Sequence, residues 1–195
     1  MRSVLSISLV ILLGLGSAAA AQTTGRAEGA LAVDNPQARI DGLFSELKRA
    51  RNEASAQRIS QRIRHEWTKS GSATIDLLMA RASKAVEAKK HDVALDFLDE
   101  IVTLAPGYAE GWNLRATVHF AREDYGRSMA DIDRVLRLEP RHFGALAGMA
   151  AILNMTGRKQ AAVGVYERML DVYPMMRDAQ TELGKLADEM AGQGI

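Results

Sequence analysis

Four histidines, His65, His91, His119 and His142, are the side chains of this 195-residue chain best suited to acid–base or metal chemistry near neutral pH. A metal would need several of them, or histidine with carboxylates, at a short fixed spacing. They fall at unrelated places in the chain, and no His-Glu-x-x-His, Gly-x-Ser-x-Gly or glycine-rich phosphate loop accompanies them. Cysteine is absent, which removes thiol catalysis, disulfides, cysteine-ligated metals and lipid attachment at cysteine. The expectation is a protein with no enzymatic activity, no cofactor and no metal. His119 is expected to be a packed core imidazole, whereas His65, His91 and His142 stand beside charged residues near helix ends or turns and are expected in solvent. Lys48, Arg49, Arg51, Arg58, Arg62 and Arg64 form a basic run against Glu46, Glu53 and Glu66. Such a run is ordinarily a solvated helix face, and its functional version is a surface for an acidic partner or membrane phosphates. The net charge of +1 gives no general attraction to nucleic acid, and the aromatic interleaving of single-strand binders is missing.

The elements that position these groups follow from composition and spacing. Hydrophobic residues make up 47% and charged residues 25%, with 16 Gly and 4 Pro, too little turn material for an all-β sandwich. An all-α fold is expected. Residues 1–21 carry Arg2, an apolar stretch from Val4 to Leu15, and the small residues Ala19 and Ala21, the layout of a cleavable secretory signal. The apolar stretch is short of the roughly 20 residues that cross a bilayer, so no stable membrane insertion is expected once the signal is removed near Ala21. The mature protein is expected in a periplasm or secreted, with residues 22–35 as a flexible leader.

Pro106, Pro140 and Pro174 are separated by 34 residues each time. Counting back from each, the slots hold Leu78, Trp112 and Leu146; Ala82, Ala116 and Ala150; Ala94, Ser128 and Ala162; Leu98, Ile132 and Tyr166; Ile101, Val135 and Met169. Each slot keeps its size class. The spacing predicts two antiparallel helices per unit, a small residue on each helix where the pair comes close, and a proline that stops the second helix. A single hairpin cannot bury its apolar sides alone, so units must stack.

In these slots the chain resembles the tetratricopeptide repeat (TPR) family, whose 34-residue signature is met best by Trp112, Ala116, Ser128, Ile132 and Pro140. The resemblance implies a right-handed superhelical solenoid of three units at about 75–108, 109–142 and 143–176, together spanning 73–176. Residues 36–72 are expected to add a degenerate hairpin in the same register, with Phe44 placed 34 residues before Leu78, and 177–191 a capping helix. Arg81 and Arg115 depart from the family pattern by replacing a leucine. Each is expected to pair with an aspartate on its own second helix, from Asp99, Asp131 and Asp133, the alternative being an arginine that binds ligand.

The resemblance also implies a concave groove for a protein or peptide partner. Carried over residue by residue, its lining is Met79, Ser83, Val86, Asn113, Thr117, Phe120, Ala147, Ala151, Asn154 and Leu183. These residues lack the basic clamp that the family uses for a C-terminal carboxylate, and they suit the apolar face of a helix, with Asn113 and Asn154 as polar fixing points. Two alternatives stand beside this adaptor: a groove filled by the chain's own N-terminal segment, and a structural or assembly subunit working through its convex face and basic N-terminal hairpin.

Overall fold

The computed structural model describes residues 35–192, and all regular structure among them is helical. The expected signal peptide and all but the last residue of the expected leader lie outside the described residues. The helices are α1 (Pro36–Lys48), α2 (Glu53–Trp67), α3 (Ala73–Glu87), α4 (His91–Leu104), α5 (Ala109–Ala121), α6 (Tyr125–Leu138), α7 (Phe143–Met155), α8 (Lys159–Val172) and α9 (Arg177–Gly192). Helices α3–α4, α5–α6 and α7–α8 are the three repeated hairpins, and α9 packs on α8 as the terminal helix. The fold is an all-α TPR solenoid.

Of the fifteen repeat slots, fourteen are buried. Trp112 is the exception: half-buried, it lies under the guanidinium groups of Arg115 and Arg134, 4.7 and 5.8 Å from the ring centre, and its Nε1 donates to the Pro106 carbonyl at 3.1 Å. Ser128 meets the small-residue requirement and satisfies its hydroxyl by donating to the Ala116 carbonyl at 2.8 Å. The turns inside the hairpins repeat as faithfully. The amide of Lys90 donates to Ala85, that of Asp124 to His119 and that of Arg158 to Leu153, each closing a helix over a residue of positive φ: Lys89, Glu123 and Gly157. At the other turn, the amide of the residue before each proline still bonds one turn back, Ala105 to Ile101, Glu139 to Val135 and Tyr173 to Met169, and there the helix ends.

Stacking needs close approach between units. A Cβ on Gly111 would stand 2.7 Å from Cγ2 of Ile101 in the preceding unit, and the equivalent residue of the third unit is the fully buried Ala145. Only small residues admit the neighbouring helix there.

The N-terminal hairpin does not continue this stack. Leu43, Phe44, Leu47, Ala56, Ile63 and Trp67 share a core with α7, α8 and α9, whereas α3 and α4 build a separate one. Its contacts run along the loops between units. The Thr68 carbonyl accepts the Tyr108 hydroxyl at 3.0 Å ahead of α5; Trp67 stacks on His142, and Arg141 covers the Phe44 ring at 4.2 Å, ahead of α7; Glu53 pairs with Arg177 at the start of α9. A 15-residue helix is about 22 Å long, enough to cross two inter-helix spacings of about 10 Å. The hairpin is thus a strap along the loop edge. The expected register fails for steric reasons: Leu77 stands in the slot that is Gly111 and Ala145 in the other units, and Ser72, after Gly71 at φ +78°, stands where a proline would be.

Trp67 is 7% exposed, and its Nε1 has no hydrogen-bond partner among the described residues. Trp67→Ala is expected to lower the unfolding free energy by about 3 to 5 kcal/mol, and Trp67→Phe by far less because no indole hydrogen bond is lost. Trp112→Ala should fall below the first of these, its ring being partly in solvent. Urea denaturation followed by circular dichroism ranks the three.

Candidate functional site

Helices α5 and α7 run side by side with α6 behind them. Where they meet, Asn113, Thr117 and Phe120 from α5 face Gly144, Ala147, Gly148 and Ala151 from α7 across a cleft of about 250 Å³. Its floor is Ala116, Ser128, Ile132 and Ala145, and no charged side chain lines it. Phe120 forms one wall and is held there by Tyr125, with ring centres 5.6 Å apart.

Five of the ten expected groove residues therefore come together: Asn113, Thr117, Phe120, Ala147 and Ala151. Met79 and Val86 lie half-buried against the first unit's core, and Leu183 packs on the core of the third unit and α9. Ser83 and Asn154 are half-buried and outside this cleft. The two glycines were missed in the sequence. Their signal was their place inside a helix, where glycine costs about 1 kcal/mol against alanine and so points to close approach.

Asn113 is fixed from behind. Its Nδ2 donates to Oε2 of Glu110 at 3.0 Å, and Oε1 of Glu110 lies 3.1 Å from Nε2 of His142. The other ring nitrogen of His142, Nδ1, accepts the Ala145 amide at 3.0 Å, capping α7. That nitrogen must carry a lone pair, so the proton sits on Nε2 and is donated to Glu110. The His142 ring in turn stacks on Trp67, 4.2 Å between centres and 12° from parallel. His142 is 1% exposed, which corrects the expectation that it is solvated. The expectation failed because its charged neighbours Arg141 and Glu139 bond each other and Asp41 of the strap, leaving the imidazole to turn inward. Burial acts to raise the Glu110 carboxyl, but the bonds from His142 and Asn113 outweigh it and hold the group below its ordinary value.

His119 is buried as expected, and desolvation lowers its pKa against the pull of Asp131 3.9 Å away. His65 is exposed and His91 half-buried. Among the described residues no group of three or more His, Asp or Glu could hold a metal ion, and no helix is long and apolar enough to cross a membrane. Of the basic run, Arg62 pairs with Glu46 and Arg64 lies over the Phe143 ring, while Lys48, Arg49, Arg51 and Arg58 are exposed on the strap.

A TPR repeat-containing protein of Rhizobium etli is 53% identical over 161 residues, which cover 83% of this chain and 79% of that protein. The chain belongs to the TPR repeat-containing proteins. No family model matches it. Among solved structures, the first TPR domain of Spaghetti (RPAP3) bound to an Hsp90 peptide superposes with a TM-score of 0.57 at 21% identity, covering 60% of this chain and 95% of that one. The TPR2B domain of yeast Sti1 in complex with an Hsp70 peptide gives 0.56 at 14% identity, covering 60% and 99%.

Within this TPR frame the two unusual arginines behave differently. Arg115 makes a two-pronged bond to Asp131 of its own unit, 2.8 Å from Nε and 2.7 Å from Nη2, and its Nη1 reaches Asp99 of the preceding unit at 2.9 Å. It is an inter-unit clamp as well as the expected intra-unit pair. Asp133 pairs with Arg137 instead. Arg81 is exposed and makes no ion pair among the described residues, which corrects the expectation for the first unit. The position matching Asp131 is Phe97 there, and Asp99 points the other way, to Arg115.

Asp131→Ala should cost about 3 kcal/mol because it strands a half-buried guanidinium, and Asp99→Ala less than about 1 kcal/mol because that carboxylate is 65% exposed. Chemical denaturation of both and of the double variant reads the difference. Glu110, with its lowered pKa, contributes stability that is whole above the ordinary carboxyl value of 4.5 and is lost as pH falls below it through the depressed folded value. Glu110→Gln should therefore show a shallower loss of stability than the parent as pH falls below 4.5.

Proposed function

We propose that this TPR protein is an exported, non-enzymatic adaptor that holds a segment of a partner protein in its concave trough. The observation that carries the reading is the α5–α7 cleft, uncharged and walled on the α7 side by glycine and alanine, with the Asn113 amide fixed at its rim. With Nδ2 committed to Glu110, Asn113 offers its carbonyl oxygen to a donor on the guest. The RPAP3 domain was determined with an Hsp90 peptide and the Sti1 domain with an Hsp70 peptide, which supports a peptide-binding role for this fold. The guest here differs in chemistry. With no Lys or Arg in the lining, a C-terminal carboxylate finds no counter-charge, and the apolar face of a helix fits the bare floor. Among the described residues the strap runs along the loop edge and does not line this cleft. Export rests on the signal layout of residues 1–21 and places the adaptor in a periplasm or outside the cell.

A photo-crosslinker at Thr117, exposed at the cleft, should capture a discrete partner in intact cells, and Ala151→Glu should abolish that capture while leaving thermal unfolding within a few degrees of the parent. Capture that survives Ala151→Glu would remove the trough from the function. A reporter fused after Gln22 should be active only when translocated, and activity in the cytoplasm would remove the export reading.

A further inference from the structure

The charges of this chain are segregated. Residues 36–72, the strap and the turn into α3, carry eight Lys and Arg against four Asp and Glu, a net +4, whereas residues 73–192 carry 15 against 18, a net −3. An inert surface intersperses the two signs. The strap's own acids do not restore the balance on its outward side. Asp41 is taken by Arg141 and Glu53 by Arg177, both across the contact with the repeats and α9. Glu46 is left to Arg62, and Glu66 to Arg39 and Lys69. Lys48, Arg49, Arg51 and Arg58 are exposed and have no ion pair among the described residues.

These cations border a groove. Between α1 and α2 lies a recess of about 590 Å³, with Arg39, Gly42 and Glu46 on one wall and Arg58, Arg62 and His65 on the other. Its lining comes from those two helices alone, so it opens away from the repeats. Helical spacing carries both walls on to the α1–α2 turn: Arg49 stands seven residues after Gly42, and Arg51 seven before Arg58. The turn end is therefore the cationic end, about 20 Å along α1 from the point where the chain enters. Arg62 and Glu46 pair across the recess at 2.9 Å with side chains 61% and 47% exposed. An exposed pair of this kind is worth little, so the guanidinium is free to turn to another carboxylate.

The chemistry of the recess selects its occupant. The large hydrophobic side chains exposed among the described residues, Leu77, Val93, Leu104 and Met155, all lie on the repeats and none on the strap. A bilayer surface is held by inserted apolar side chains as well as by charge, and here it would find only charge, set in a recess. The strap's aromatic side chains, Phe44 and Trp67, are buried, so nucleic-acid bases have no stacking platform. Residues 22–34 of the chain itself hold Arg26 against Glu28 and Asp34, too little negative charge to neutralise four cations. A projecting protein segment with several carboxylates meets every condition. From Ala38 to Arg49 the wall is about 16 Å long, the reach of about five extended residues. We propose that the outward groove of the strap binds an acidic segment of a second protein, whose carboxylates pair with Arg49, Arg51, Arg58 and Arg62. The groove shares no residue with the α5–α7 cleft, so this site does not rest on the adaptor reading.

Fluorescence anisotropy of a fluorescein-labelled octaglutamate, titrated with the purified full chain beside an octaglutamine control, tests this. Octaglutamate is expected to bind and octaglutamine not, with a Kd that rises between about 50 and about 150 mM NaCl. The Kd should rise by about tenfold or more in the double variant Arg49→Glu with Arg58→Glu. Gly42→Gln should weaken binding without any change of charge. A Cβ at position 42 would meet nothing within 4 Å, so the longer side chain fills the groove and leaves the core alone. Arg81→Glu with Arg168→Glu makes the same charge change at exposed positions of the repeats and should leave the Kd within about twofold. All three are expected to keep the parent's circular dichroism. No binding of octaglutamate, binding indifferent to either strap variant, or an equal loss in the repeat variant overturns the proposal. Binding that arises only after removal of residues 1–34 also overturns it and assigns the groove to that segment. Capture of phosphatidylglycerol vesicles through the same arginines, with no binding of octaglutamate, overturns it in favour of a membrane. Thr117 crosslinking should be unchanged in the strap variants, so failure of this site and failure of the trough are told apart.

Discussion

The indole of Trp67 lies flat on the imidazole of His142, and this contact decides where the first two helices go. A stacked pair is worth on the order of 1 kcal/mol beyond the area it buries, and here it is backed by Phe143 4.9 Å away and by Arg141 over Phe44. The imidazole can receive the indole only while its Nδ1 caps α7 and its Nε2 holds Glu110, so the ring is fixed on three sides. Removing the imidazole would free the strap, the first turn of α7 and the carboxylate that orients Asn113. A single side chain thus joins the cap of the third unit, the hydrogen bonding of the second and the docking of the N-terminal hairpin.

Docking along the loop edge changes what the solenoid is. In a plain stack each unit touches only its neighbours, and curvature is free to vary by small rotations at every interface. The strap touches the loops ahead of α5, α7 and α9 at once. Those loops cannot then separate without breaking the Trp67 core, and the spacing of the first helices that line the trough is fixed ahead of the binding proposed above. Preorganisation of this kind reduces the ordering cost of binding. Arg115 works in the same direction from the opposite side, tying Asp99 of one unit to Asp131 of the next.

The repeat was legible in the sequence because its cause is local and periodic: a large residue, a small residue four later and a proline at the end recur at 34 residues wherever two helices must pack and stop. Trp112 was misjudged as a core slot because its size matches the slot while its indole N–H calls for a nearby carbonyl, and Pro106 supplies one at the surface. The strap was not legible. Residues 36–67 carry the right amphipathic spacing for a hairpin, but the docking place depends on a contact between residues 75 positions apart, Trp67 and His142, that no periodicity announces. The same contact hid His142, whose charged neighbours suggested solvent. Arg81 was misread by analogy with Arg115, and the difference lies in its own second helix: Phe97 stands where Asp131 serves Arg115, and Asp99 turns to Arg115 of the next unit.

The bare α7 wall of the trough follows from the same contacts. A Cβ at position 144 would stand 3.2 Å from Cε1 of His142, and one at 148 would stand 3.3 Å from Cδ1 of Ile132. Both are tighter than ordinary van der Waals contact, and neither neighbour has room to yield: His142 is pinned by Trp67, Ala145 and Glu110, and Ile132 is a buried slot residue of the second unit. Two glycines in one helix cost about 2 kcal/mol of helix propensity against alanine. That cost is compensated where His142, held by the strap's Trp67, and the neighbouring unit press against α7 from two sides. The opening between α5 and α7 is therefore left by packing that the fold requires for its own closure, and its smooth, uncharged surface is what the proposed guest helix would meet.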